Sequence, residues 1–84
     1  MPKVTIYTTQ ICPYCSMAKR LLAEKGVAFD EIDVGGKPAL REEMEEKSGR
    51  HTVPQIWIGE IHVGGCDDLH DLEQTGRLDP LLAG

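Results

Sequence analysis

Apolar and polar positions along the chain fall into short blocks whose spacing changes from about two to about three and a half. Residues 3–8 (Lys-Val-Thr-Ile-Tyr-Thr) are β-branched or aromatic in all but the first position and predict a strand. From Pro13 to about Lys25 the apolar residues Ala18, Leu21 and Leu22 share one face, with Gly26 as the stop, which predicts a helix. Residues 27–34 predict a second strand anchored by Phe29 and Ile32. Gly35-Gly36 then breaks the pattern, and Pro38 opens a second helix running to about Ser48. That helix is mostly charged, with Leu40 and Met44 as its only large apolar pair and Gly49 as its stop. Its glutamates are expected to face water. Residues 55–58 and 61–63 predict a hairpin through Gly59-Glu60, glycine first, as a II′ turn prefers. A third helix is expected from near Asp67 to Gly76, with Leu69 and Leu72 inward, and Leu78, Leu81 and Leu82 closing the core. The order β-α-β-α-β-β-α implies an α/β fold: a mixed four-stranded sheet flanked by three helices, its first two strands parallel.

Length and charge narrow the classes. Eighty-four residues imply a single domain, 1–84, with a thin core that aliphatic side chains must fill, since aromatic residues make up only 5%. The formal net charge of −5 argues against nucleic-acid binding, which wants a basic face. Met1-Pro2-Lys3 leads straight into the first strand, so no export signal is expected, and no apolar run approaches a membrane span. With three cysteines and no export signal, the expected compartment is a reducing cytoplasm, with no membrane partner.

The candidate chemistry is Cys12-Pro13-Tyr14-Cys15, set where the first strand ends and the first helix begins. The leading N–H groups of a helix lack internal partners and carry partial positive charge, so a thiol held there is stabilised as the nucleophilic thiolate. Pro13 suits the first helical turn, where its missing N–H costs nothing. Cys15, almost one turn on, is within disulfide reach and should be the more buried resolving sulfur. Two other readings exist. A structural staple closing so short a loop would stabilise little. A zinc site with Cys66 and one of His51, His62 or His70 would lack the second close ligand pair usual in such sites.

Cys12-Pro13-Tyr14-Cys15, Thr52-Val53-Pro54 and Gly64-Gly65-Cys66-Asp67-Asp68 occur in order at glutaredoxin spacings, and the chain resembles the dithiol glutaredoxins of the small bacterial type along essentially its whole length. The resemblance implies a thioredoxin-like fold with Pro54 as a cis proline facing the cysteines. It implies glutathione as co-substrate, with no metal or organic cofactor. The glutathione cysteinyl backbone would lie along Val53, and the γ-glutamyl carboxylate would meet the N–H groups of Cys66 and Asp67. Its ammonium would pair with Asp68. Tyr14 would flank its sulfur, and Thr52, Pro54 and Gly65 complete the set. Disulfide-bonded or glutathionylated proteins would be the other partners, and the chain would act as a monomer. Two rival functions are a redoxin fed by thioredoxin reductase and an iron–sulfur carrier using Cys12 and glutathione.

The chain departs from the family at Thr9, where many members carry a lysine that holds the glycine carboxylate of glutathione and favours the thiolate. Arg41 is the expected substitute, ahead of Arg50. Cys66 is expected to be a small buried side chain rather than a sensor thiol. Thr9→Lys should shift the pH midpoint of Cys12 alkylation downward and lower the apparent KM for glutathione. An unchanged midpoint and KM would remove this electrostatic argument.

Overall fold

The computed structural model describes residues 2–84, and Met1 lies outside the described residues. The elements are β1 (Val4–Thr8), α1 (Pro13–Glu24), β2 (Asp30–Asp33), α2 (Pro38–Ser48), β3 (Gln55–Ile58), β4 (Ile61–Gly64), α3 (Cys66–Gln74) and α4 (Leu78–Ala83). The sheet order is β2-β1-β3-β4, with β1 parallel to β2 and antiparallel to β3, and β4 antiparallel to β3. This is the mixed four-stranded sheet of the thioredoxin-like fold.

Alternation along the strands sorts the core into two layers. Val4, Ile6, Ile56 and Ile58 face α1, α3 and α4, meeting Ala18, Leu21, Leu22, Leu69, Leu78 and Leu82. Tyr7 turns to the opposite face and packs with Val34 and Met44, joined by Trp57 and Leu40. The polar α2 is therefore pinned by one fully buried residue, Met44, as its pattern predicts. Its glutamates 42, 43 and 46 are exposed and Glu45 is half-buried.

Three differences from the sequence expectation have local causes. The second strand begins at Asp30 rather than Val27, because its ladder with β1 opens at the Thr5–Asp30 pair. Val27 and Phe29 instead pack against the larger core from outside the sheet. The third helix starts one residue early, at Cys66, and ends at Gln74. The C-terminal leucines form a helix of their own, whose six residues are too few to register as a period and whose Pro80 falls in the first turn, where proline is tolerated. The hairpin turn is as expected: Gly59 has φ +60° and, among the described residues, none other than glycine has positive φ, which fits II′ and excludes I′. No described helix is long and apolar enough to cross a membrane.

Lys25, at the end of α1, ties the C-terminal elements together with ion pairs to Glu73 (2.8 Å) and Asp79 (2.7 Å). On the opposite layer, among the described residues, no ion pair joins α2 to the sheet and shares the load carried by Met44. Met44→Ala should lower stability by about 2–5 kcal/mol, the range for a buried large-to-small change. Denaturant unfolding measures it, and a loss below about 1 kcal/mol would mean α2 is held by other contacts.

Candidate active site

Strand directions bring three distant segments to one end of the sheet. The chain leaves β1 at Thr8 and reaches Cys12 four residues later. Antiparallel pairing sets the start of β3 beside the end of β1, with Tyr7 opposite Gln55, so Val53 and Pro54 arrive next to the cysteine loop. The end of β4 lies beside the start of β3, with Gly64 opposite Ile56, and delivers the first turn of α3 to the same place.

Cys12 is the N-cap of α1, in extended conformation (φ −147°, ψ 98°), and its Sγ accepts the Cys15 N–H at 3.1 Å. Pro13 occupies the first turn, and no acidic residue stands there to compete with a thiolate for the positive helix end. Cys12 and Cys15 are joined by a disulfide, with Cα atoms 5.2 Å apart. The two sulfurs are unequal: Cys12 is half-buried, whereas Cys15 is 1% exposed. The Val53 carbonyl oxygen lies 3.9 Å from the Cys12 sulfur, and the Val53–Pro54 peptide bond is cis.

A cleft of about 250 Å³ opens beside this pair, lined by Tyr14, Arg50, Thr52, Val53, Pro54, Gly65, Cys66, Asp67 and Asp68. The residues that the sequence marked out are brought together with one exception. Arg41 does not line the cleft: its guanidinium donates to the His51 carbonyl (2.7 Å) and meets Glu45 (3.4 Å), holding the chain as it leaves α2. Arg50 is the cation at the cleft. Thr9 lines a separate depression with Gln10, Ile11, Asp33 and Gly35.

Asp68 organises the far wall. Its Oδ2 accepts the Gly65 N–H at 2.9 Å and the Arg50 guanidinium at 2.9 Å. The Gly65 hydrogen bond first, then Arg50, hold its carboxyl below the usual aspartate range, against a smaller opposing effect of burial. Gly64 has φ +114°, and a Cβ there would run into the Asp68 carboxylate, so only glycine serves at this corner. The N-cap of α3 is Gly65, which has no side chain to occupy the first free N–H groups of the helix.

Cys66 is 5% exposed, with its sulfur 3.4 Å from His70 Nδ1. Burial, and then the charge of Asp67, push its thiol up, which keeps it protonated and weakly nucleophilic. Among the described residues no three His, Cys, Asp or Glu side chains converge as a metal ion would require.

A half-buried sulfur on a helix N-terminus, backed by a buried partner it can bond, is built to exchange disulfides. On this fold the arrangement defines a thiol–disulfide oxidoreductase. The glutaredoxin family profile matches residues 4–63. A glutaredoxin of Pseudomonas aeruginosa is 65% identical over 83 residues, covering 99% of each chain. Glutaredoxin 3 of Escherichia coli is 57% identical over 82 residues, covering 98% of this chain and 99% of its own. Among solved structures, a buckwheat glutaredoxin–glutathione complex superimposes with a TM-score of 0.91 at 28% identity, covering 98% of this chain and 77% of that one. The chain belongs to the glutaredoxin family.

The Asp68 shift carries a pH signature. Asp68 ionises more readily folded than unfolded, so its contribution to stability is complete above the unfolded value of about 3.9 and is lost as pH falls through the lower folded value. Asp68→Asn should therefore flatten the fall of the urea midpoint between about pH 5 and pH 2. An unaltered slope would show that the carboxylate gains nothing on folding.

Proposed function

We propose that the protein is a glutathione-dependent reductase of protein disulfides and of glutathione mixed disulfides. The observation that carries this reading is the cleft's complementarity to a γ-glutamyl thiol peptide. Backbone groups of Val53 lie beside the Cys12 sulfur, and the free N–H groups of Cys66 and Asp67 can take a carboxylate. Asp68 can take an ammonium. Arg50 now pairs with Asp68, and on binding the ammonium would replace it there. The buckwheat glutaredoxin–glutathione complex shares the fold closely and adds support.

The steps use only this chain's sulfurs and glutathione. The Cys12 thiolate attacks a disulfide sulfur; one S–S bond forms at Cys12, the substrate S–S bond breaks, and a thiolate leaves. With a glutathionylated protein, Cys12 takes the glutathione and the protein thiol departs. A second glutathione thiolate then attacks the mixed disulfide, releasing glutathione disulfide and restoring Cys12. With a protein disulfide, Cys15 loses its proton and attacks Cys12 instead, freeing the reduced protein and leaving the Cys12–Cys15 bond. Two glutathiones re-reduce it. The N–H of Cys15 that meets the Cys12 sulfur would stabilise each thiolate that forms there. The setting is a reducing cytoplasm that maintains glutathione, and the acting species is the monomer.

Activity on a glutathione mixed disulfide, with glutathione and its reductase supplied, tests the reading; an inactive wild type would sink it. In the same assay Cys12→Ser should abolish turnover. Cys15→Ser should keep it while losing most reduction of protein disulfides. Equal loss of both activities in Cys15→Ser would mean glutathione cannot stand in for the internal thiol.

A further inference from the structure

Directly after the cis peptide bond, on the sheet face turned away from α1 and α3, the first residue of β3 is Gln55, a polar side chain with 0% exposure. Its Nε2 donates to the Thr52 carbonyl (3.1 Å) and to the Thr52 hydroxyl oxygen (3.2 Å), and its Oε1 lies 2.8 Å from His62 Nε2. A carbonyl can only accept, so the amide nitrogen must face Thr52 and the amide oxygen His62. His62 must then present Nε2–H. Its ring stands 4.7 Å from that of Trp57, which in turn meets Tyr7 edge-on at 5.3 Å. The hydrogen bonds thus run from an aromatic anchor on β4, through a sealed amide, to the residue that begins the Val53–Pro54 wall of the cleft. A leucine or methionine would fill the Gln55 site at less cost in desolvation, since a buried amide is tolerated only when its polar atoms are paired.

We propose that Gln55 and His62 are positioning residues, holding the Thr52–Pro54 segment in the shape that pairs with the backbone of a peptide thiol. They then set the affinity for peptide disulfides and leave the sulfur chemistry of Cys12 alone. This rests on the reading, given above, that the Val53 backbone receives an extended thiol peptide; it does not require that peptide to be glutathione. Thr52 fits the role, since its hydroxyl oxygen accepts from Gln55 and its own hydrogen stays free to donate.

The test compares two disulfides in single turnovers of the reduced protein: one of a capped cysteine dipeptide, rich in backbone amides, and hydroxyethyl disulfide, which has none. In Gln55→Glu a carboxylate faces the Thr52 carbonyl with no hydrogen to offer, and the rate with the peptide disulfide should fall about tenfold. The rate with hydroxyethyl disulfide should stay within about twofold, because Cys12 is untouched. His62→Leu, on an edge strand, should slow the peptide disulfide about threefold, and His62→Gln, whose amide can donate to the same oxygen, should restore it. Equal slowing of both disulfides, or a ratio unchanged in Gln55→Glu, overturns the proposal. Should Gln55→Glu not fold, the same two outcomes in His62→Leu overturn it. Oxidised glutathione as a third substrate separates the underlying reading: if the wild type handles it no faster than the capped peptide, glutathione preference fails while the comparison of amide-rich and amide-free disulfides still decides the proposal.

Discussion

The antiparallel ladder between β1 and β3 is the constraint on which the site depends. Its last pair, Tyr7 with Gln55, closes a gap of 41 residues between Cys12 and Val53 and leaves sulfur and carbonyl 3.9 Å apart. The hydrophobic alternation fixes that register, because a slip by one residue would turn Val4, Ile6, Ile56 and Ile58 out of the main core. The same slip would carry the cis-proline wall to the wrong height beside the cysteines. The register that buries the core is therefore the register that assembles the site, and the hydrogen bonds of Gln55 and Arg41 then fix the loops within it.

Two helix ends then give the cleft its electrical character in a chain whose formal net charge is −5. At the N-terminus of α1 no carboxylate is present in the first turn, so the positive end is left to the sulfur. At the N-terminus of α3 two aspartates stand in the first turn, and one of them is already paired with Arg50. The first end suits an anion made and unmade during reaction. The second suits a zwitterion, with free N–H groups and a carboxylate side by side. Asymmetric burial of the two cysteines completes the division of labour, since only Cys12 can be approached from solvent.

Much of this was legible in the residues. The helix 38–48 and the strand 55–58 fall where glycine, proline and the apolar spacing put them. The cysteine pair was legible because its chemistry needs specific residues at fixed separation. What stayed hidden depends on contacts between distant segments. Nothing local distinguishes Arg41 from Arg50; both are cations on or just beyond α2, and only the turn after Gly49 decides which one reaches Asp68. Gln55 carries no sequence mark either, because a glutamine opening a strand normally faces water, and its enclosure comes from His62 and Thr52 folding around it. The cis isomer at Pro54 came from family resemblance, since most X–Pro bonds are trans.

The sparse attachment of α2 has a consequence for how such a chain can change over generations. Met44 is the one fully buried residue of the helix, with Leu40 partly buried beside it, and Tyr7 adds two long hydrogen bonds, donating to Glu43 (3.3 Å) and accepting from Lys47 (3.5 Å). Glu42 and Glu46 stand in water, where substitutions usually alter stability by no more than about 0.5 kcal/mol. The outer face of this helix is therefore free to drift in charge and shape while the fold and the sulfur chemistry stay constant. Substitutions confined to that face reach neither the buried layer nor the cleft, so selection for folding leaves them nearly unopposed.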